Sequence, residues 1–232
     1  MQSNKKYILS TRPLSDQLVQ QAAQKGIEIS THAFIETEAI RTEELRLEIE
    51  KYSFLPITAI FTSMNAVDAV VDMLDGAKPD WKIGCLGYTT LQLASHYFGD
   101  DHIIALGKNA EELAIDLLSK DDGQFVFFCG DQRRDELPDI FKAHDKSLEE
   151  VVVYKTIQQP AIINKNFDAI AFFSPSAAES FFSVNQLPVE TIIFAIGKTT
   201  AQAVKKFSDN RVLVADQPGK EQMVEMMINY FN

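Results

Sequence analysis

Small polar residues stand four times in the sequence where an apolar run gives way to a helical pattern, at Asn65, Thr89, Ser176 and Thr199. The free backbone N–H groups and positive dipole end of a helix start favour anions, so these positions suit carboxylate or phosphate binding. Two of them lie in near copies, IGCLGYTTLQLA (83–94) and IFAIGKTTAQAV (193–204), each an apolar strand, a glycine, one residue, two threonines and a helix. The likeness extends upstream: TAIFTSMNAVDAV (58–70) resembles AIAFFSPSAAESF (169–181). Ser63 then pairs with Ser174 and Asn65 with Ser176 at an offset of 111, and Gly87 with Gly197 at an offset of 110. Two strand–helix units recurring in order imply two similar α/β domains in one chain. Thr89, Thr90, Thr199 and Thr200 cap their helices, bind a carboxylate, or do both. If the domains face each other, all four helix starts point into one cleft.

Other residues suit the same chemistry. In CGDQRRDEL (129–137) a strand ends, Gly130 frees the turn and a helix opens. Arg133 and Arg134 there either grip a carboxylate bidentately or balance Asp131 and Asp135 in a solvated turn. Arg12 follows the first strand directly, and Tyr154 ends a valine-rich strand, as a proton or hydrogen-bond donor or as an ordinary strand aromatic.

The elements that must position these residues alternate. Strands are expected at 6–10, 28–32, 57–62, 82–86, 103–106, 125–129, 148–154, 169–173, 192–196 and 212–215. Helices are expected at 16–25, 42–51, 65–74, 89–97, 110–118, 137–143, 176–185, 199–207 and 220–230. Short apolar strands alternating with helices mean parallel sheets flanked by helices, an α/β fold. Segments 34–38 and 152–159 read as connectors between the two lobes.

Composition excludes several functions. The net charge of −11 disfavours nucleic-acid binding, and no run approaches 18 apolar residues, so no membrane span is expected. The opening MQSNKKYILSTRP lacks a secretory apolar segment. Cys85 and Cys129 sit in apolar runs and read as buried thiols of a reduced cytoplasmic protein. The four histidines, His32, His96, His102 and His144, show no metal-ligand spacing. AIGKTT lacks the P-loop's first glycine, since position 192 is Ile, and GCLG is not a dinucleotide fingerprint.

Taken in order, seven stretches resemble the uroporphyrinogen-III synthase family: ILSTRPL (8–14), IFTSMNAV (60–67), CLGYTT (85–90), FFCGDQRRDEL (127–137), VVVYKT (151–156), FFSPSAAESF (172–181) and AIGKTTAQAV (195–204). Phe173 departs from the family's usual threonine before Ser-Pro-Ser. The resemblance implies a bilobed fold, with one lobe from 1–34 plus 160–232, the other from 39–151, and connecting strands at 35–38 and 152–159. It implies a cyclase that closes hydroxymethylbilane, a linear polycarboxylate tetrapyrrole, to uroporphyrinogen III with loss of water and inversion of ring D, without cofactor or metal. Tyr154 is implied as the catalytic donor. Substrate binding falls to Arg12, Ser63, Asn65, Gly87, Thr89, Gly130, Arg134, Ser174, Ser176, Gly197, Lys198, Thr199 and Thr200. A cytoplasmic monomer is expected, receiving its substrate transiently from hydroxymethylbilane synthase, with its lobes closing by flexing the connectors. The alternative is a two-lobed small-molecule binding or effector-sensing module without catalysis.

Overall fold

The computed structural model describes residues 5–232, so the first four residues of the expected first lobe lie outside the described residues. The chain runs β1 (Lys6–Ser10), α1 (Asp16–Gln24), β2 (Ile27–Thr31), β3 (Ile35–Ala39), α2 (Glu43–Ser53), β4 (Ile57–Phe61), α3 (Met64–Leu74), β5 (Lys82–Leu86) and α4 (Tyr88–Phe98). It continues with β6 (Ile103–Gly107), α5 (Ala110–Lys120), β7 (Gln124–Gly130), α6 (Glu136–Ala143) and β8 (Leu148–Gln158). The last third holds β9 (Ala169–Phe172), α7 (Pro175–Phe182), β10 (Ile192–Ala195), α8 (Lys198–Lys205), β11 (Val212–Val214) and α9 (Lys220–Phe231).

Contacts divide the chain into two compact units, residues 1–36 with 157–232, and residues 37–156. The first carries a five-stranded sheet in the order β11-β10-β9-β1-β2, with parallel pairing throughout. The second carries a six-stranded sheet in the order β3-β8-β7-β4-β5-β6, parallel from β8 to β6. Alternation along β4 and β7 explains why their runs are apolar at every position. Ala59, Phe61, Val126 and Phe128 pack with α2, α3 and α4, while Ile60, Phe125 and Phe127 pack with α5 and α6. In the other unit α1 and α9 cover one core cluster, and α7 and α8 cover the other.

The helix boundaries depart from expectation in a consistent way. The four repeated helices begin one residue earlier than their sequences suggest, at Met64, Tyr88, Pro175 and Lys198. The residue before each is the cap: Ser63, Gly87, Ser174 and Gly197. Pro175 suits the first helical position, where its missing N–H costs nothing. β8 runs four residues past the expected end at Tyr154. Helix α7 stops three residues short of Asn185, whose side-chain amide donates to the carbonyls of Ala161 and Phe181 at 2.8 and 2.9 Å and so terminates the turn.

Residues 37–156 are anchored by an aromatic stack. The Phe128 ring lies 5.5 Å from Phe61, 5.6 Å from Trp81 and 6.1 Å from Tyr52, and Phe128, Phe61 and Trp81 are at most 1% exposed. The indole N–H of Trp81 donates to the Tyr52 carbonyl at 2.9 Å, so the polar edge of the ring is satisfied. Phe128→Ala is expected to destabilise this unit by about 3–5 kcal/mol through lost burial and an unfilled cavity. Denaturant unfolding followed by fluorescence of Trp81, the chain's single tryptophan, measures it. A loss below about 1 kcal/mol would show that the stack relaxes to fill the space.

Candidate functional site

Within residues 37–156, the carboxyl ends of β7 and β8 bring one tyrosine to a defined place. The β7–β8 register runs Cys129 opposite Val152, then Gly130 opposite Tyr154, so one residue of β8 is extra. Such a bulge re-aims the side chains around it, and Val153 and Tyr154, consecutive in sequence, pack against the same core cluster. The phenol ring then crosses directly over Gly130. A Cβ on that glycine would lie 2.5 Å from Cζ of Tyr154 and 2.8 Å from its hydroxyl oxygen. Gly130 therefore serves the position of Tyr154 by being bare.

Ser63 completes the arrangement. Its hydroxyl oxygen accepts the Asn65 backbone N–H at 3.1 Å, capping α3. The same hydroxyl bonds to Tyr154 and opposes the upward shift of the phenol's pKa, as a donor to the phenol oxygen does. Burial is the main cause that raises the Tyr154 pKa above 10.0, with Cys129 and Asp131 adding to it. Tyr154 and Asn65 line a cavity of about 160 Å³ together with Thr37, Ala39, Arg41, Asp68, Ala69 and Asp72. That is below the roughly 300–1,000 Å³ of a small-molecule site, so the cavity has room for no more than part of a large molecule.

Further along the same carboxyl edge, three strands from Tyr154, Gly87 directly follows the last residue of β5, Leu86. At about 4.8 Å per strand the separation is on the order of 14 Å. Gly87 has φ +81° and ψ 151°, a region close to glycine-only. It caps α4 with no side-chain hydrogen bond. Tyr88 and Thr89 are exposed and Thr90 is buried. In the other unit the pattern recurs residue for residue: Gly197 caps α8 without a side-chain bond, Lys198 and Thr199 are exposed, and Thr200 is buried. Capping by the threonines is thus overturned. They lie inside the first turn, where their hydroxyls are past the position that reaches the orphan N–H groups. The two Gly-x-Thr-Thr helices leave those N–H groups without side-chain acceptors, whereas α3 and α7 are closed by Ser63 and Ser174, the latter accepting from Ala177 at 3.1 Å.

Arg12, Ser174 and Gly197 follow β1, β9 and β10, three adjacent strands, and so share one edge of their own sheet. Thr11 ties the first two strands together, donating to the Ala171 carbonyl at 3.0 Å and accepting the Phe173 N–H at 3.3 Å. Phe173 thereby makes its polar contact through the backbone, and its ring is buried. Arg12 projects exposed beyond this turn, and Ser176 is half-buried in the first turn of α7.

The two adjacent arginines part company. Arg133 pairs with Asp135 and with Glu150, so it is not available to grip a ligand. Arg134 is exposed and makes no ion pair among the described residues. Asp131 is not balanced by either arginine; its carboxylate accepts the Thr156 N–H at 2.9 Å. Sequence reading missed Arg41, Asp68 and Asp72, since nothing in a helix face or strand end marks them until α3 packs beside β3. It also missed Lys220, which opens α9 close enough to Arg12 for the arginine to add to the lowering of its pKa that burial begins. Both cysteines are buried, and burial pushes Cys85 up to about 12 and Cys129 up to about 11. Among the described residues no cluster of acidic, histidine or cysteine side chains suits a metal, and no helix is long and apolar enough to cross a membrane.

A family model described as uroporphyrinogen-III synthase HemD matches residues 16–225. Among solved structures, a uroporphyrinogen-III synthetase from Helicobacter pylori is similar at 17% identity and a TM-score of 0.67, covering 97% of this chain and 99% of that one. A mutant uroporphyrinogen III synthase from the extremely thermophilic bacterium Thermus thermophilus is similar at 14% identity and a TM-score of 0.65, with 97% of each chain covered. At these identities the two structures show the shared fold. A search of curated proteins returned no match. The family match supports the cyclase reading and not the non-catalytic binding module.

The two cap glycines should respond differently to substitution, because only Gly87 has a positive φ while Gly197, at φ −174°, is extended. Neither would meet an atom within 4 Å on gaining a Cβ. Gly87→Ala is expected to cost about 1–3 kcal/mol of stability, and Gly197→Ala to stay within about 0.5 kcal/mol of wild type. Thermal unfolding of the pair decides it, and equal losses would mean that φ is not what selects the first glycine.

Proposed function

The chain belongs to the uroporphyrinogen-III synthase family, and we propose that Tyr154 acts at the reaction centre while the open helix starts hold the carboxylates of the substrate. The enzyme cyclises hydroxymethylbilane to uroporphyrinogen III, with loss of water and inversion of ring D. Hydroxymethylbilane also closes unaided to the uninverted isomer, so the catalyst's main work is to fix one geometry of a flexible chain. Rigid backbone donors at helix starts suit that work, because their direction is set by the fold and their ordering is complete before the substrate arrives.

The observation that carries the Tyr154 role is its hydrogen-bond arrangement. Ser63 hydrogen-bonds to the phenol, the ring is fixed over Gly130, and Tyr154 lines the cavity. As the C–O bond of the hydroxymethyl group breaks, the phenol O–H donates to the departing oxygen and the group leaves as water. The ring-D carbon that already carries the bridge to ring C then attacks the methylene left behind, giving a spirocyclic intermediate; that bridge bond breaks and re-forms at the free α-carbon of ring D, which loses its proton, so the macrocycle closes with ring D inverted and the phenol regains a proton. Gly87 and Thr89 mark the open helix start in the unit of Tyr154, and Gly197, Lys198, Thr199 and Thr200 mark the one in the other unit. Arg12 and Arg134 supply exposed cations, and Asn65, Ser174 and Ser176 line the remaining starts. The same reading has the enzyme work as a cytoplasmic monomer that takes its unstable substrate by transient handover from hydroxymethylbilane synthase. Light scattering of the two proteins, alone and mixed, checks the monomer and the handover.

The test is a coupled assay in which a deaminase generates hydroxymethylbilane and the oxidised porphyrin isomers are separated by chromatography. Tyr154→Phe is expected to lower kcat about tenfold, the worth of one hydrogen bond made in the transition state. Unchanged turnover would remove Tyr154 from the reaction. Because the phenol's pKa lies above 10.0, Tyr154 stays protonated across neutral pH and no loss of rate from its ionisation is expected below pH 10. A fall centred well below that value, absent in Tyr154→Phe, would contradict the assignment.

A further inference from the structure

We infer that Asp131 is the residue that positions Tyr154, by carrying the β7–β8 ladder past the end of β7. This rests on the reading of Tyr154 given above. β7 ends at Gly130, one residue before Asp131, yet β8 continues to Gln158. On the β7 side, Tyr154 and the residues after it therefore need partners that the neighbouring strand does not provide. Asp131 provides two. Its backbone N–H donates to the Tyr154 carbonyl at 3.1 Å, and its Oδ1 accepts the Thr156 N–H at 2.9 Å. The two bonds bracket Tyr154 immediately after the register shift between Cys129 and Gly130. A carboxylate oxygen here stands in for the carbonyl that a longer β7 would present.

The bond is charge-assisted, but Asp131 is exposed, so water screens its charge. Its contribution is the placement of an acceptor, and the field it exerts on the phenol is secondary. The other ionisable groups facing Tyr154 are the Cys129 thiol and, around the cavity, Arg41, Asp68 and Asp72; Arg41 and Asp72 are paired at 2.8 Å.

Geometry and charge separate in three substitutions. Asp131→Asn keeps the acceptor and removes the charge. Asp131→Glu keeps the charge and moves the acceptor by one methylene. Asp131→Ala removes both. The readouts are kcat and KM in the coupled assay, and the Tyr154 line in the 13C spectrum of protein labelled at tyrosine Cζ, assigned by its absence from Tyr154→Phe. Asp131→Ala and Asp131→Glu are expected to lower kcat about threefold or more with KM within about twofold, and to shift or broaden the Tyr154 line. Asp131→Asn is expected to stay within about twofold of wild type and to keep the line in place. Overturning results are an unmoved Tyr154 line in both Asp131→Ala and Asp131→Glu, or a loss in Asp131→Asn with Asp131→Glu intact, which would make charge the cause. If Tyr154→Phe retains full rate, the role of Tyr154 falls. The position of its spectral line still decides whether Asp131 holds it.

Discussion

Parallel strand pairing is the constraint on which the rest of this structure depends. When neighbouring strands run the same way, every helix that follows a strand starts at the same edge of the sheet. Each sheet therefore collects helix starts that lie far apart in sequence. In one unit Arg12, Ser174 and Gly197 follow three adjacent strands; in the other Ser63 and Gly87 follow β4 and β5, and Gly130 ends β7. The buried strands enforce this arrangement, since both faces of each sheet are covered by helices and a shift of one residue along β4 or β7 would exchange Phe61 and Phe128 for their neighbours across the sheet.

What is done with the helix starts differs between the members of each repeated pair. Ser63 and Ser174 cap their own helices, a contribution of about 1 kcal/mol each to local stability. Gly87 and Gly197 give up that contribution and leave the first-turn N–H groups open. For a substrate carrying many carboxylates, open N–H groups are the better use of the position. In the proposed reading they are how a protein with a net charge of −11 would hold an anion: the donors are local and directional, and long-range charge matters less than the dipoles at contact distance. Tyr154 belongs to a different part of the design. Its placement depends on a bare Gly130, on a strand bulge and on Ser63, so it is over-determined in the way a group at a reaction centre needs to be.

The order of strands and helices was legible because fully buried strands read as unbroken apolar runs and glycines end the helices. The internal repeat was legible too, and Gly87 to Thr90 match Gly197 to Thr200 in burial at each position. The starts of the four repeated helices were off by one residue, since a serine or threonine at a helix start reads the same in sequence whether it lies at the cap or inside the first turn. The fate of Arg133 and Arg134 was not legible. Which of two adjacent arginines meets Glu150 depends on how β7 leads into α6 beside β8. Asp131 was hidden for a similar reason, because its partner at Thr156 is defined only once the extra residue in β8 has set the register.

The most direct measurement concerns the open start of α8. Proline is tolerated at the first helical position and removes its N–H alone, so Lys198→Pro and Lys198→Ala share the loss of the cation and differ in one backbone donor. KM for hydroxymethylbilane is expected to rise about tenfold further in Lys198→Pro than in Lys198→Ala, the worth of one hydrogen bond to a carboxylate. Equal KM values for the two variants would contradict the claim that backbone donors at this helix start hold the substrate.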